Sequence, residues 1–250
     1  MVNASGAKIN TIHANDYGYW DELNAVIQYE PADAFNPELV GQFAAIGIKK
    51  GKPFAPDARM KKILTEAVAV ANATARALTF RPRMDGVYDF PDRQWFTSFP
   101  GGSYDFLLQP GVRNLDGRVL FHYYATGITP AMATKMVGVG SQYAAATTDS
   151  EGRPLDGSKT YKIHLPSGIP ARNFWSFVVY DNQTRSMLQT DQQFPSISSQ
   201  REGVVINDDG SVDFTFAPEL PAGHPASNWL RTIPGEGFFI IFRLYGTGRE

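Results

Sequence analysis

From Arg81-Pro82 onward the sequence breaks into short runs rich in Val, Phe, Tyr and Ile, each closed by Gly, Asp, Asn or Pro. Runs of this length and punctuation read as strands joined by turns. Strands in series, with no helical pattern between them, favour an antiparallel β-sandwich over a parallel sheet built from βαβ units. The expected strands are Arg118 to Thr126, Gln142 to Thr147, Thr160 to Leu165, Phe174 to Asp181, Gly203 to Asn207, Val212 to Phe216 and Gly237 to Leu244. Asn207-Asp208-Asp209-Gly210 is expected to join two of them as a hairpin, with Gly meeting the positive φ that such a turn demands.

The first third reads differently. Asp16 is placed to cap a helix carrying Trp20, Leu23, Val26 and Ile27. Asn36-Pro37 starts a second helix, because Asn suits the cap and Pro loses nothing in the first turn, and this helix buries Leu39, Val40 and Phe43. Asp57 caps a third, in which Met60, Ile63, Leu64, Ala67, Val68, Ala71, Ala75 and Leu78 recur at helical spacing. Ile9 to Ile12 reads as a short extended entry. The expected organisation is a helical connector over 1–82, packed on a sandwich domain over 83–250.

Composition agrees with a turn-rich globular chain of 250 residues, since 13% of them are aromatic and 23 Gly and 17 Pro punctuate them. A net charge of -2 provides no broad basic field, so nucleic acid is not an expected partner. The absence of Cys removes thiolate nucleophiles and Cys-ligated zinc. No apolar run reaches the ~18 residues of a membrane span, and the chain reads as soluble.

Motifs prune further. The chain has no G-x-S-x-G elbow, no P-loop, no H-E-x-x-H and no complete dinucleotide fingerprint, because Gly138-Val139-Gly140 lacks the third glycine in register. Ser5-Gly6-Ala7-Lys8 has Ser-x-x-Lys spacing without the rest of that motif set. The acidic turns around Asp149 and Asp208 lack the alternating-Asp ligand set of a calcium loop, and no metal ligands are nominated.

Candidate site residues centre on HLPSGIPARNFWSFVVYDNQTRSML, residues 164–188. Alternation puts Trp175, Phe177, Val179 and Asp181 on one face of a strand and Phe174, Ser176, Val178 and Tyr180 on the other, which is how a central strand buried on both sides reads. Arg185 follows Asp181 by four residues. Either the two pair to close a turn, or they sit at the mouth of an aromatic-lined pocket, one polarising a substrate and the other placing it. His122, sharing a strand face with Leu120 and Tyr124, either lines a cavity or is a satisfied core histidine. His164 falls on the face of Lys162, where a partly exposed structural role is the plain reading. The catalytic candidates are therefore Asp181, Arg185 and His122, and the ligand-binding candidates are Trp175, Tyr180, Tyr124, His164 and Trp229.

Several stretches together carry a family resemblance: HYYATGITPAM (His122 to Met132), GSQY (Gly140 to Tyr143), Leu155 to Leu188, FPSISS (Phe194 to Ser199), NDDGSVDFTF (Asn207 to Phe216), NWLRTIPGEGFF (Asn228 to Phe239) and RLYG (Arg243 to Gly246). They resemble the bacterial family called domain of unknown function 1214. The resemblance implies a jelly-roll-like antiparallel β-sandwich, hence a mainly β chain preceded by about three helices. Relatives usually carry a companion domain of unknown function 1254 and often an export signal, neither of which this chain displays, so an exported or periplasmic location is suggested by resemblance alone. No activity, cofactor or catalytic residue comes with the family.

Two function classes stay open. One is a hydrolase or lyase acting on a glycan-like or other small substrate. The other is a non-catalytic carbohydrate- or small-molecule-binding or self-assembly module, with the Ala67 to Leu78 face as the candidate contact of a homo-oligomer.

Overall fold

The computed structural model describes residue 6 and residues 13–125, 127–134 and 136–248. The Ile9 to Ile12 segment lies outside these residues, as do Thr126 and all of Ser5 to Lys8 except Gly6. The chain mixes helix and sheet, with 27% helical and 24% strand. It divides into two compact units, Met1–Ala75 and Arg76–Glu250.

In the first unit, α1 (Gly18–Tyr29) opens where the Asp16 carboxylate accepts from the Gly18 amide at 2.9 Å. Lys50 closes it, donating to the carbonyls of Gln28 at 2.7 Å and Ile27 at 3.3 Å, where the helix dipole favours a cation. Helix α2 (Pro37–Ala45) has Asn36 as its cap, accepting from Glu38 N at 2.8 Å. Helix α3 (Ala58–Phe80) has Asp57, which accepts from Met60 N at 2.7 Å. The Trp20 indole donates to Leu64 O at 2.9 Å, tying α1 to α3. Along α3 the buried apolar positions are Leu64 and Val68, whereas Ala67 and Ala71 are exposed. The apolar stripe is therefore narrower than the spacing predicts.

The second unit begins with the last turn of α3, whose Phe80 carbonyl accepts from Thr147 Oγ1 at 2.8 Å. Then follow β1 (Phe96–Thr97), β2 (Leu107–Gln109), β3 (Val112–Arg113), α4 (Leu115–Tyr124), α5 (Pro130–Ala133), β4 (Ser141–Ala146), β5 (Tyr161–Leu165), β6 (Ala171–Asp181), β7 (Ser196–Ser198), β8 (Val212–Ala217), β9 (Trp229–Arg231) and β10 (Phe238–Thr247). Among the described residues they form a five-stranded sheet ordered β1-β4-β10-β6-β7, a three-stranded sheet ordered β5-β8-β9, and the β2-β3 pair. Pairing is antiparallel except for β8 with β9. That exception needs the chain to run back along the sheet, which residues 218–228 do, and the Trp229 indole pins the return by donating to Ala217 O at 3.0 Å.

The two larger sheets share one core. Phe177, Val179, Phe238, Ile240 and Ile197 from the first face Leu165, Val212, Phe214, Phe216 and Leu230 from the second. Phe177 stacks on Phe242 at 4.4 Å within its sheet and meets Phe214 across the gap at 5.2 Å. On the opposite face of the large sheet, Ala145 and Phe96 pack with Leu120 of α4 and Val87.

Two expected strands are not strands. Residues 115–124 form α4, because Gly117, Leu120, Phe121 and Tyr124 repeat at three and four residues and Asn114 caps them, accepting from Gly117 N at 2.8 Å. Gly117 suits that cap, since a Cβ there would meet the Asn114 side chain at 2.9 to 3.2 Å. Residues 203–207 form no ladder because a side chain occupies the backbone groups a neighbour would use. Val205 N donates to Asn228 Oδ1 at 2.9 Å and Asn228 Nδ2 donates back to Val205 O at 2.8 Å. The turn that follows does form, with Gly210 at φ +81.

Candidate functional site

Strand β10 reads FFIIFRLYGT, and alternation sends Phe238, Ile240 and Phe242 into the shared core while Phe239, Ile241, Arg243 and Tyr245 line the other face. Register then lays four polar side chains in a row across four strands. Tyr143 of β4 pairs with Arg243, Arg243 with Ser176 of β6, and Ser176 with Ser198 of β7. Arg243 is half-buried and lies between tyrosines, its guanidinium 5.8 Å from the Tyr143 ring centre and 6.0 Å from that of Tyr180, to whose hydroxyl Nη2 donates. Tyr180 stacks on Phe239 at 5.1 Å, and Tyr245 stacks on Phe174 at 4.3 Å with its hydroxyl 3.4 Å from that of Tyr143.

The electrostatics of this cluster favour binding over proton transfer. Burial raises the Tyr180 phenol above its ordinary value, against the opposing pull of Arg243. Burial also raises Tyr245, reinforced by the hydroxyl of Tyr143 and opposed by Arg243. Neutral phenols can donate and accept hydrogen bonds but are poor bases near neutral pH. Among the described residues no carboxylate lies within ion-pair distance of Arg243. A guanidinium drawn partly out of water and met only by phenols has its charge uncompensated.

The residues nominated from sequence are spread over several places. Asp181 ends β6, and its Oδ1 accepts from the amides of Gln183 at 2.7 Å and Thr184 at 2.6 Å and from the Thr184 hydroxyl at 3.1 Å. Arg185, held at φ +60, points elsewhere: it lies 4.5 Å over the Tyr123 ring and donates to Gln183 O at 2.6 Å. The two thus share one turn without pairing side chain to side chain. His122 is exposed on α4, its Nδ1 2.9 Å from Arg118 O, with its ring against Phe106 and Phe121. His164 and Asp213 sit opposite each other on β5 and β8, 2.8 Å apart and open to solvent, and that contact followed by the bond from Asn207 lowers the Asp213 carboxyl. Trp175 meets Phe214 edge-on at 5.4 Å at the margin of the core, and Trp229 is buried with Arg231 over its ring. Among the described residues no three His, Cys, Asp or Glu side chains group as a metal site.

Tyr180 is the one nominated residue that bonds to the row described above, through Arg243, and Tyr124 adjoins the same face by packing on Phe239 at 5.8 Å. Tyr124 bonds to the Ser98 hydroxyl, and burial of its phenol pushes it up to about 12 from 10.0, an effect Ser98 partly opposes. One of the 11 tyrosines should therefore ionise last in a spectrophotometric titration, near pH 12, and Tyr124→Phe should remove that step. Because the folded value is the higher one, this group's contribution to stability is whole below pH 10.0 and is lost as pH rises through about 12.

Arg243, Tyr143 and Tyr245 were not singled out from sequence as site residues. A signal was there: Arg243 is the lone charge in a ten-residue strand that is otherwise apolar or neutral.

Residues 140–249 match the model of a family described as a protein of unknown function, DUF1214. No curated protein matches. Among solved structures, the VPA0106 protein from Vibrio parahaemolyticus is similar at 19% identity and a TM-score of 0.44, covering 92% of this chain and 51% of that one. An uncharacterised protein from Burkholderia cenocepacia is similar at 14% identity and a TM-score of 0.36, covering 91% of this chain and 46% of that one. The chain thus spans about half the length of these solved relatives. Among the described residues no helix is long and apolar enough to cross a membrane.

Proposed function

We propose that the chain is a non-catalytic binding module that takes a small polar molecule or a glycan on the tyrosine-lined face of β4, β10, β6 and β7. The observation that carries this reading is Arg243, a half-buried guanidinium whose neighbours among the described residues are phenols and not a carboxylate. Cation and hydroxyls together suit a ligand rich in oxygen, and the stacked Phe174–Tyr245 pair adds an apolar platform for a ring. The finer fold reading belongs with this proposal: a jelly-roll-like sandwich over 83–250 after a helical segment over 1–82, in keeping with the two facing sheets.

The hydrolase or lyase alternative draws less support, because Asp181 Oδ1 is engaged by turn amides and His122 and Arg185 do not meet it in hydrogen-bonding geometry. A calorimetric titration of the full chain against a panel of neutral oligosaccharides tests the binding reading. Saturable binding that Tyr245→Ala weakens at least tenfold, with no new reducing ends released, is the expected result. Sugar release that disappears in Asp181→Ala would restore the enzyme reading in its place.

A further inference from the structure

We infer that the ligand is an acidic saccharide, a uronate-type sugar whose carboxylate pairs with Arg243. This rests on the binding reading and narrows it to a chemical class. Three features of the face converge on that class.

The first is the geometry of the charge. A guanidinium presents a planar fork that a carboxylate matches with two parallel hydrogen bonds, and such a pair gains strength where water is partly excluded. Arg243 donates to Tyr180 and also bonds Tyr245, and among the described residues it has no carboxylate partner, so the rest of its fork can serve a ligand. A phosphate dianion would call for a second cation, and the row holds a single one.

The second is the line of hydroxyls. Tyr143, Ser176 and Ser198 stand on the same face as Arg243, on successive strands around it. Strands lie about 4.8 Å apart, so the row spans roughly 14 Å, the reach of two or three linked sugar rings. Ser198 is half-buried but Ser176 is 7% exposed, so the open part of the row runs over Tyr143, Arg243 and Ser198. A polyol can lie along such a row with its hydroxyls bridging from strand to strand.

The third is the ring platform. Phe174 and Tyr245 stack at 4.3 Å with their planes 16° apart, and Tyr143 meets Tyr245 edge-on at 6.3 Å. The apolar C–H face of a pyranose packs on aromatic rings of this kind. A simple inorganic anion would use the guanidinium and leave this platform idle.

The test is calorimetric titration of the full chain with trigalacturonate, with its fully methyl-esterified form, and with acetate and inorganic phosphate as free-anion controls. The acid should bind at least tenfold tighter than the ester, and the gap should shrink in 1 M NaCl. Arg243→Gln should remove the preference for the acid over the ester, and Arg243→Lys should retain part of it. Circular dichroism checks that the variants fold, and Tyr143→Phe, which keeps the ring, should weaken the acid several-fold. Equal binding of acid and ester would overturn the acidic class and leave a neutral-glycan module standing. Acetate or phosphate binding as tightly as the trisaccharide would mark a general anion site and overturn the sugar class. No binding of any probe, neutral panel included, would overturn this inference and the binding reading together.

Discussion

Gly157→Ala should lower the melting temperature by about 10 °C or more, the largest effect expected of any single methyl group added to this chain. A Cβ at Gly157 would run into the backbone carbonyl of Ile233 and come within 2.9 Å of Glu236 O. Neither obstacle is a side-chain tip that can swing away. The approach is close because Gly157 N donates to Glu236 O at 2.8 Å, while Gly157 O accepts from the buried Thr232 hydroxyl at 2.7 Å. Nearby, Phe238 N donates to Leu155 O at 3.3 Å, so the segment before β5 is fastened to the loop before β10. Making room would break these bonds and leave buried polar groups unmet, at about 1–3 kcal/mol each. For a unit of this size each kcal/mol moves the midpoint by about 2–4 °C. Thermal melting by circular dichroism reads the result, and a shift of under 2 °C would show that the 157 and 233 segments are not held this close.

Phe177→Ala should cost about 3–5 kcal/mol. Phe177 is 1% exposed and joins the two sheets, stacking on Phe242 and meeting Phe214, Trp95 and Trp175 with ring centres 4.4 to 6.1 Å away. Deleting the ring leaves a void that rigid strands on both sides cannot collapse to fill, so the cavity term adds to the lost burial. Urea unfolding with an unchanged slope and a lower midpoint is the expected signature. A cost below about 1 kcal/mol would mean that the sheets do not face one another through this ring.

Local chemistry made much of the fold readable in advance. Asn36 and Asp57 stand one residue before their helices and accept from the amides of Glu38 and Met60, because a cap works through neighbours in sequence. The two-faced pattern of 174–181 holds for the same reason, as β6 lies between β10 and β7. Residues 118–124 misled through content: Val119, Phe121, Tyr123 and Tyr124 are strand formers by propensity, yet the spacing of 117, 120, 121 and 124 is helical, and tertiary packing of that stripe decides. Val204 to Ile206 misled because the competitor for their backbone groups, Asn228, lies more than twenty residues away.

The site was less legible, for a physical reason. Its row is assembled from residues 143, 176, 198 and 243, which become neighbours only through strand register. Asp181 and Arg185 looked like partners from their spacing, but the positive φ of Arg185 turns its side chain onto Tyr123 of α4. Spacing predicts contact inside a helix or along a strand; across a tight turn the backbone conformation decides.

The lengths of the outermost strands carry a consequence for how these molecules behave when crowded. The large sheet ends in β1, two residues long, and β7, three residues long. Unpaired backbone of that extent is too short to template a strand from another molecule. At the free margin of the small sheet, the five-residue β5 carries Lys162 and His164 on its outward face, so an incoming strand there would have to accommodate a charge. The remaining margin of the small sheet, β9, is only three residues long, so concentrated solutions of the folded chain should resist growth into fibrils by edge-to-edge addition.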